Sequence, residues 1–589
     1  MDCAVSHTVC DLLTLRAESD PEALAYVDGD HEWSWSMAHS VVREAAAGLI
    51  AAGAEPSKTV GLLLTNRVEH ILGDLAALHI GACTTSAYTT ASDDQLRHIS
   101  DDSDIGTLIL DSIGLERFRA TLTSMKSLRV IVLTDDVTEA PEIECLVITW
   151  SRLLELGRSS AEEVAVQVDP DAPAVLIYTS GTTGPSKGVP LTHRQLVAAV
   201  KSASQHFSLP ANPRFLSYLP LAHIAERVCS LYLPLHLGGT TAFCGDMNDL
   251  LPALQRTKPT MFFGVPRVWE KIRSSLTAKL SEVGEEQKRA VDTAMTNARA
   301  VALARLNNES IDLDMESRAR EADQGLFAMI RSGLGLDQCA HAVTGGAPVS
   351  PDVEEFFLSL GIPLHQVYGL SETCGATVSH RPGRIRIGTV GEPLPGVEIR
   401  IDDDGEILIR SPFNTSGYRG LSNENLFTDD GYLRTGDVGK LDDNGFLSVT
   451  DRKKELIITA GGKNIGPNSI EARLATSPLI AQALVYGDNQ RYLVALLTLD
   501  SEATRRWLTS RGVPTSNDLS HDPLVTTEVE RVVEEANQAV SRVEHIKKWV
   551  VLGSEWTVDR GELTPTMKLK RRTIHSNYRD EIETMYDRN

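Results

Sequence analysis

The stretch Ala174 to Gly188, AVLIYTSGTTGPSKG, constrains this chain more than any other. The apolar run Ala174 to Tyr178 is short and is followed by turn residues, which predicts a buried strand. It leads into Thr179, Ser180, Gly181, Thr182, Thr183, Gly184, Pro185, Ser186, Lys187 and Gly188. Glycines there let backbone N–H groups converge on one point, hydroxyl side chains add donors, and Lys187 adds a mobile positive charge. Such a loop suits a polyphosphate. It is not a Walker A loop, because Gly188 stands where Ser or Thr must follow the lysine. A cluster of turn residues by itself is also compatible with a plain surface loop, so the rest of the chain has to decide.

With 589 residues the chain exceeds one ordinary domain and should fold as two or more units. A net charge of −23 argues against a nucleic-acid binder, which needs a basic face, but not against a small phosphate ligand. The eight cysteines are scattered with no C-x-x-C pair, so neither zinc nor a disulfide framework is expected, and a reducing compartment fits. The start, MDCAVSHTVCDLL, lacks the basic and apolar regions of a signal peptide, and no apolar run approaches the ~20 residues of a membrane span. A cytoplasmic protein is expected, with contact to a membrane surface left open.

Helical periodicity over Ser36 to Ala52 and Val68 to His79 alternates with short apolar runs at Val60 to Leu64, Thr107 to Leu110 and Val130 to Leu133. That alternation predicts an α/β fold with parallel sheets and helices on both faces, with ligands at the carboxyl ends of strands. Residues 271–330, Ala-rich and charged, read as rim helices without chemistry. Residues 395–410 and 417–449 read as hairpins of a small β unit. From residue 454 a small α+β unit follows, giving expected domains 1–453 and 454–589.

Several further segments carry chemistry. Gly345, Gly346, Ala347 and Pro348 form a tight turn after an apolar stretch. Gln366, Tyr368, Gly369, Ser371 and Glu372 lie in HQVYGLSE, where a tyrosine beside a glycine offers an unobstructed flat face. Glu372 adds a hard oxygen of the kind Mg²⁺ prefers. Asp437 closes GYLRTGD, and a carboxylate can accept two hydroxyls at once. Arg452 follows in DRKKE, Gly461 and Gly462 sit in AGGKN, and Lys568 and Lys570 lie in TPTMKLKR.

YTSGTTGPSKG, YGLSE, GYLRTGD, DRKKE, AGGKN and TPTMKLKR occur in an order that resembles the AMP-forming adenylating enzymes. The resemblance runs from about residue 10 to about residue 585. LPLAHIAER, with His223, followed by KPTMFFGVPRVWEKI is similar to the long-chain fatty acyl-CoA synthetase branch. In that family the glycine-rich loop holds the β- and γ-phosphates of ATP. The resemblance implies that Gly345–Pro348 and Gln366 meet the adenine, Tyr368 stacks on it, and Ser371, in place of the usual threonine, contacts phosphate. It further implies that Glu372 holds Mg²⁺ and that Asp437 and Arg452 hold the ribose. Lys454 would be the hinge, Gly461 and Gly462 would leave room for the pantetheine arm of coenzyme A, and His223 would lie near the acyl carboxylate. The family places glycine before its catalytic lysine where this chain has Met567, so Lys568 is taken as that lysine and Lys570 as the alternative.

The expected activity is therefore an ATP-dependent, AMP-forming ligase of fatty acid and coenzyme A. The alternatives are transfer of the acyl group to a carrier protein, a medium-chain or other acid as substrate, and a phosphate-releasing NTPase or nucleotide-binding regulator.

Overall fold

The computed structural model describes residues 7–135, 143–161, 164, 168–179, 185–210, 212–281, 283–513, 518–564 and 567–586. The expected α/β architecture is present. A seven-stranded sheet runs in the spatial order Leu146–Thr149, Val130–Leu133, Ile105–Leu110, Thr59–Leu63, Thr84–Ser86, Pro173–Thr179 and Lys187–Thr192. All neighbours are parallel except the last pair. Strands such as Ile105–Leu110 are buried along their whole length, as expected of a parallel sheet covered on both faces.

A second sheet, of five strands, sets Met261–Gly264, His341–Gly345 and Leu364–Leu370 in parallel, then returns through Gly375–Ser379 and Glu392–Pro393. The carboxyl ends of its three parallel strands lie side by side and lead into the Gly346–Pro348 turn and the 3₁₀ turn Ser371–Thr373. This is where such sheets bind ligands. A third sheet joins Arg214–Ser217, Thr240–Phe243, Leu24–Asp28 and His31–Ser34. The rim segment is helical as expected, with Pro266–Ser281, Glu285–Leu306, Leu313–Ala322 and Ala328–Gly333.

The small β unit differs from expectation in one respect. Its four antiparallel strands are Glu398–Ile401, Glu406–Arg410, Leu433–Leu441 and Leu447–Arg452. Residues 417–432 are therefore not a hairpin but a long connection, which crosses to the seven-stranded sheet. Gly417 adopts φ +142°, and a Cβ there would fall 2.0 Å from Asn423, so the connection tightens where only glycine fits.

Beyond residue 454, Ile480–Tyr486, Leu493–Leu499 and Ile546–Leu552 form one sheet. Leu493, Ala495 and Leu497 enter one apolar cluster, while Val494 and Leu496 enter another with Trp556 and Ile574. The period-two alternation of a strand thus feeds two cores at once, and both clusters draw only on residues from 457 onward.

Candidate active site

Strands Pro173–Thr179 and Lys187–Thr192 pair antiparallel, with Tyr178 opposite Gly188 and Thr179 opposite Lys187. The two strands that flank the glycine-rich segment are thus neighbours in the sheet. Ser180, Gly181, Thr182, Thr183 and Gly184 lie outside the described residues. The base of the hairpin is pinned to the helix Asp93–Ser103. Tyr178 donates to Asp102 Oδ2 at 2.6 Å, and His98 Nε2 donates to the carbonyl of Ser186 at 2.7 Å. A Cβ at Gly188 would sit 3.2 Å from the Tyr178 ring and 3.3 Å from Asp102, so glycine keeps this joint closed.

On the facing sheet, the Tyr368 hydroxyl donates to Asp437 Oδ2 at 2.7 Å and Arg452 Nε lies 3.0 Å from Oδ1. Asp437 and Arg452 face each other because their strands pair in that register. Burial raises the Asp437 pKa, against the pull of Arg452, Tyr368 and Lys568. Burial also works against the Arg452 guanidinium, but Asp437 and Tyr368 outweigh it and raise its pKa. Each Asp437 oxygen keeps a lone pair for a ligand hydroxyl.

Gly345, expected at the adenine, and Gly369, expected to leave the Tyr368 face open, are tightly packed in this structure. A Cβ on Gly345 would meet Val367 Cγ2 at 2.5 Å, and one on Gly369 would meet the Gly375 carbonyl at 1.7 Å. Gly346, Ala347 and Pro348 are exposed at the strand end, with Gly346 at φ +83°. Gln366 is buried, and its side chain acts on the carboxyl of Glu354 on the helix Pro351–Ser359. Ser371 opens the 3₁₀ turn, but Thr373 ties that turn down, its hydroxyl accepting from Leu370 N–H at 2.9 Å and donating to the Gly375 carbonyl at 2.9 Å.

Lys568 reaches this cleft from the C-terminal part. Its side chain is in touch with solvent yet walled by protein. That crowding lowers its pKa, as does the charge of Arg452, while Asp437, Glu455 and Glu372 act in the opposite sense. Met567 stands at φ +62°, the left-handed region that glycine enters freely, which explains glycine at this position in the family and makes methionine the costlier choice here. Lys570 instead stands at the N-cap position of the helix Arg571–Asn577, with no side-chain capping bond. The following residue, Arg571, bonds both oxygens of Glu471 at 2.6 Å and Asn468 Oδ1 at 2.7 Å, locking this tail to the unit that carries it. Gly461 and Gly462 form the exposed tip between Ile457–Ile458 and Asn464–Ile465, and a side chain at Gly462 would meet nothing within 4 Å.

His223 caps the short helix Ile224–Arg227, its Nδ1 accepting from the Ala225 N–H at 3.2 Å, which leaves Nε2 as the protonated nitrogen. Burial, and then the charge of Lys568, pushes its pKa down to about 4, so the ring is neutral at pH 7. The residues after it, unassigned from the sequence, explain why it stays put. Arg227 is fully buried and pairs with Asp74. It also donates to Ser86 Oγ at 2.8 Å, to the Leu221 carbonyl at 2.9 Å and to Tyr232 at 3.1 Å. Glu226 accepts from Tyr218 N–H at 3.1 Å and Ser230 at 2.6 Å, and burial pushes its carboxyl up to about 7.

Sequence reasoning also missed Tyr418. Its hydroxyl donates to Glu372 Oε1 at 2.6 Å, and Lys187 Nζ lies 4.7 Å from the centre of its ring. The signal was available, since Tyr418 stands beside Gly417 in a polar segment just as Tyr368 stands beside Gly369. Among the described residues no hydrogen bond occupies Glu372 Oε2, which leaves a hard oxygen facing a wet cleft and fits a magnesium ion.

The chain belongs to the AMP-binding enzyme family, whose pattern matches residues 13–419; the pattern of the AMP-binding enzyme C-terminal domain matches residues 454–589. It is 36% identical to the long-chain-fatty-acid–CoA ligase FadD15 of Mycobacterium bovis, across 97% of this chain and 95% of that protein. It is 31% identical to the long-chain-fatty-acid–CoA ligase ACSBG2 of Xenopus laevis, across 97% and 82%. The adenylation domain of a Mycobacterium chelonae carboxylate reductase shares the fold with a TM-score of 0.79 at 21% identity, covering 98% of this chain and 91% of that one. The O-succinylbenzoate coenzyme A synthetase MenE of Bacillus subtilis, solved with ATP and a magnesium ion, shares it with a TM-score of 0.68 at 24% identity, covering 95% and 98%.

Proposed function

We propose that this protein is an ATP-dependent, AMP-forming ligase that joins a long-chain fatty acid to coenzyme A. The observation that carries the reading is Lys568, a cation from residues 454–589 whose charge acts on the cleft that holds Asp437, Glu372 and Arg452 and on buried His223. The names of the relatives that match over nearly the whole chain support the substrate class.

In the first half-reaction the fatty carboxylate attacks the α-phosphorus of ATP, the bond to the β-phosphate breaks, and pyrophosphate leaves with that electron pair. The site works by positioning and by fixed charges at the atoms where charge grows. Thr179, Lys187 and the hairpin tip hold the β- and γ-phosphates, while Gly346–Pro348 and Tyr368 flank the adenine. Asp437 accepts from the ribose hydroxyls with Arg452 beside it, and Lys568 neutralises the α-phosphoryl oxygens. Glu372 would hold Mg²⁺, which supplies charge neutralisation along the phosphates. His223, neutral with a hydrogen on Nε2, donates to the acyl carboxylate.

In the second half-reaction residues 454–589 turn about Lys454 against residues 1–453, which withdraws Lys568 and brings Gly461 and Gly462 to the acyl site. The thiolate of coenzyme A, its proton released to solvent, attacks the acyl carbon, and AMP leaves. We place the protein in the cytoplasm, where the free cysteines remain reduced. The test is a panel of acids of increasing chain length, scored for acyl-CoA, pyrophosphate and orthophosphate. Equimolar acyl-CoA and pyrophosphate, highest with long chains, is the expected result. Pyrophosphate without acyl-CoA points to a carrier-protein acceptor, and orthophosphate overturns the reading.

A further inference from the structure

The connection between Arg410 and Leu433 is not a passive link. Thr415 N–H donates to the Glu372 carbonyl at 2.7 Å, while its hydroxyl donates to the Pro190 carbonyl at 2.8 Å. Arg419 N–H donates to the Gly188 carbonyl at 2.9 Å, and Arg419 Nε to the Asp102 carbonyl at 2.7 Å. Within five residues the chain bonds the turn that presents Glu372, the outgoing strand of the phosphate hairpin and the helix that pins the hairpin. Tyr418 N–H in turn donates to Asn423 Oδ1 at 3.1 Å, which fixes where its side chain starts.

The side chain of Tyr418 then spans the two groups that matter. Its hydroxyl, at 2.6 Å from Glu372 Oε1, takes one oxygen and aims the other. Its ring face carries Lys187 Nζ at 4.7 Å, within the range of a cation–π contact. A hydroxyl donating to an ionised carboxylate forms a strong, short bond, and a carboxylate so held loses little freedom when a cation arrives.

We propose that Tyr418 is a positioning residue for the adenylation step: its hydroxyl orients Glu372 toward the metal that accompanies ATP, and its ring seats Lys187 at the mouth of the phosphate hairpin. The proposal rests on Glu372 as the metal carboxylate. One side chain thereby ties the metal site to the phosphate loop, so the two halves of the Mg·ATP site are set together.

Calorimetric binding of ATP, first in EDTA and then at graded Mg²⁺, separates the two contacts without relying on turnover. Tyr418→Phe keeps the ring and loses the hydroxyl. Metal-free ATP affinity should stay within about twofold of the parent, while the Mg²⁺ concentration for half-maximal tightening rises about tenfold, the scale of one charge-assisted hydrogen bond. Tyr418→Leu should show the same metal shift and, having lost the seat for Lys187, bind metal-free ATP about threefold more weakly. Thermal midpoints close to the parent's identify folded variants. Unchanged Mg²⁺ dependence in Tyr418→Phe overturns the proposal, and so does an equal loss of metal-free and metal-loaded affinity, which is the mark of general damage. Glu372→Gln tells the two readings apart. If it shifts the Mg²⁺ dependence and Tyr418→Phe does not, only the tyrosine's role falls; if neither variant shifts it, the assignment of Glu372 falls and takes the tyrosine's role with it.

Discussion

Acid should unfold this protein well above the pH at which carboxylates protonate, and the reason is its buried histidines. His70, His193, His341, His365 and His380 are none of them more than 5% exposed. Burial pushes their pKa values from 6.5 down to about 3 for His70 and about 4 for the others. The unfolded chain protonates them near 6.5, so it gains protons the native state refuses, and stability falls as the pH drops below that value. At pH 5 each histidine costs about 2 kcal/mol, or about 10 kcal/mol for the five. Buried carboxyls act in the opposite direction, and Asp451, pushed up to about 6 by burial, returns about 1.4 kcal/mol at pH 5. Glu226 and Glu354, both pushed up to about 7 by burial, are protonated in the native state before the unfolded chain takes up the proton. They return about 2.5 kcal/mol each at pH 5. The net loss of about 3.5 kcal/mol is a large share of the stability of many domains. His341 and His365, packed edge to face at 5.5 Å, lie on the strands that carry Gly345 and Tyr368, so nucleotide binding should fail along with the fold. Urea midpoints followed by tryptophan fluorescence between about pH 7.5 and about pH 5 measure the loss. His341→Phe should flatten the profile by about 1.4 kcal/mol per pH unit, and Glu354→Gln should steepen it. A midpoint that stays level down to about pH 5.5 would refute the argument.

Lys568→Ala should slow acyl-AMP formation by roughly 10²–10³, the cost of one preorganised charge at a developing oxyanion, yet spare thioester formation from preformed acyl-AMP. Gly462→Leu should do the reverse. Single-turnover assays of each half-reaction check both, and equal slowing of the two steps by Lys568→Ala would leave the lysine structural. Asp437→Ala should weaken AMP binding by about 1.5–3 kcal/mol for each ribose hydrogen bond lost, as read by calorimetry. Arg227→Met should destabilise the protein by about 3–5 kcal/mol, because it strands the fully buried Asp74 carboxylate; Asp74→Leu combined with Arg227→Met should recover much of that in denaturant titrations.

The sequence by itself determined the elements and the order of the motifs. Val68–His79 and Val130–Leu133 have the bounds that periodicity predicts, and the buried run of Leu493–Leu499 is visible in its composition. Such features are local, because helix and strand spacing and turn chemistry are set by residues a few positions apart. The motif residues Tyr368, Glu372, Asp437, Arg452 and Lys568 could be picked out one by one, each as a residue type suited to a phosphate or a sugar.

What those residues do to one another was decided only by the tertiary structure. Tyr368 and Asp437 are 69 positions apart, Tyr418 and Glu372 are 46, and Arg227 and Asp74 are 153. The strands on either side of the phosphate segment pair antiparallel because Lys187–Thr192 turns back along Pro173–Thr179, a choice that depends on which sheet edge is free rather than on the segment's own residues. Gly345, expected at the adenine, and Gly369, expected only to clear the face of Tyr368, are glycines because another strand presses within 3 Å of where a Cβ would stand. Charge pairing, close backbone contact and hydrogen-bond satisfaction all act between segments that meet only once the core has closed, and no local pattern in the chain encodes that meeting.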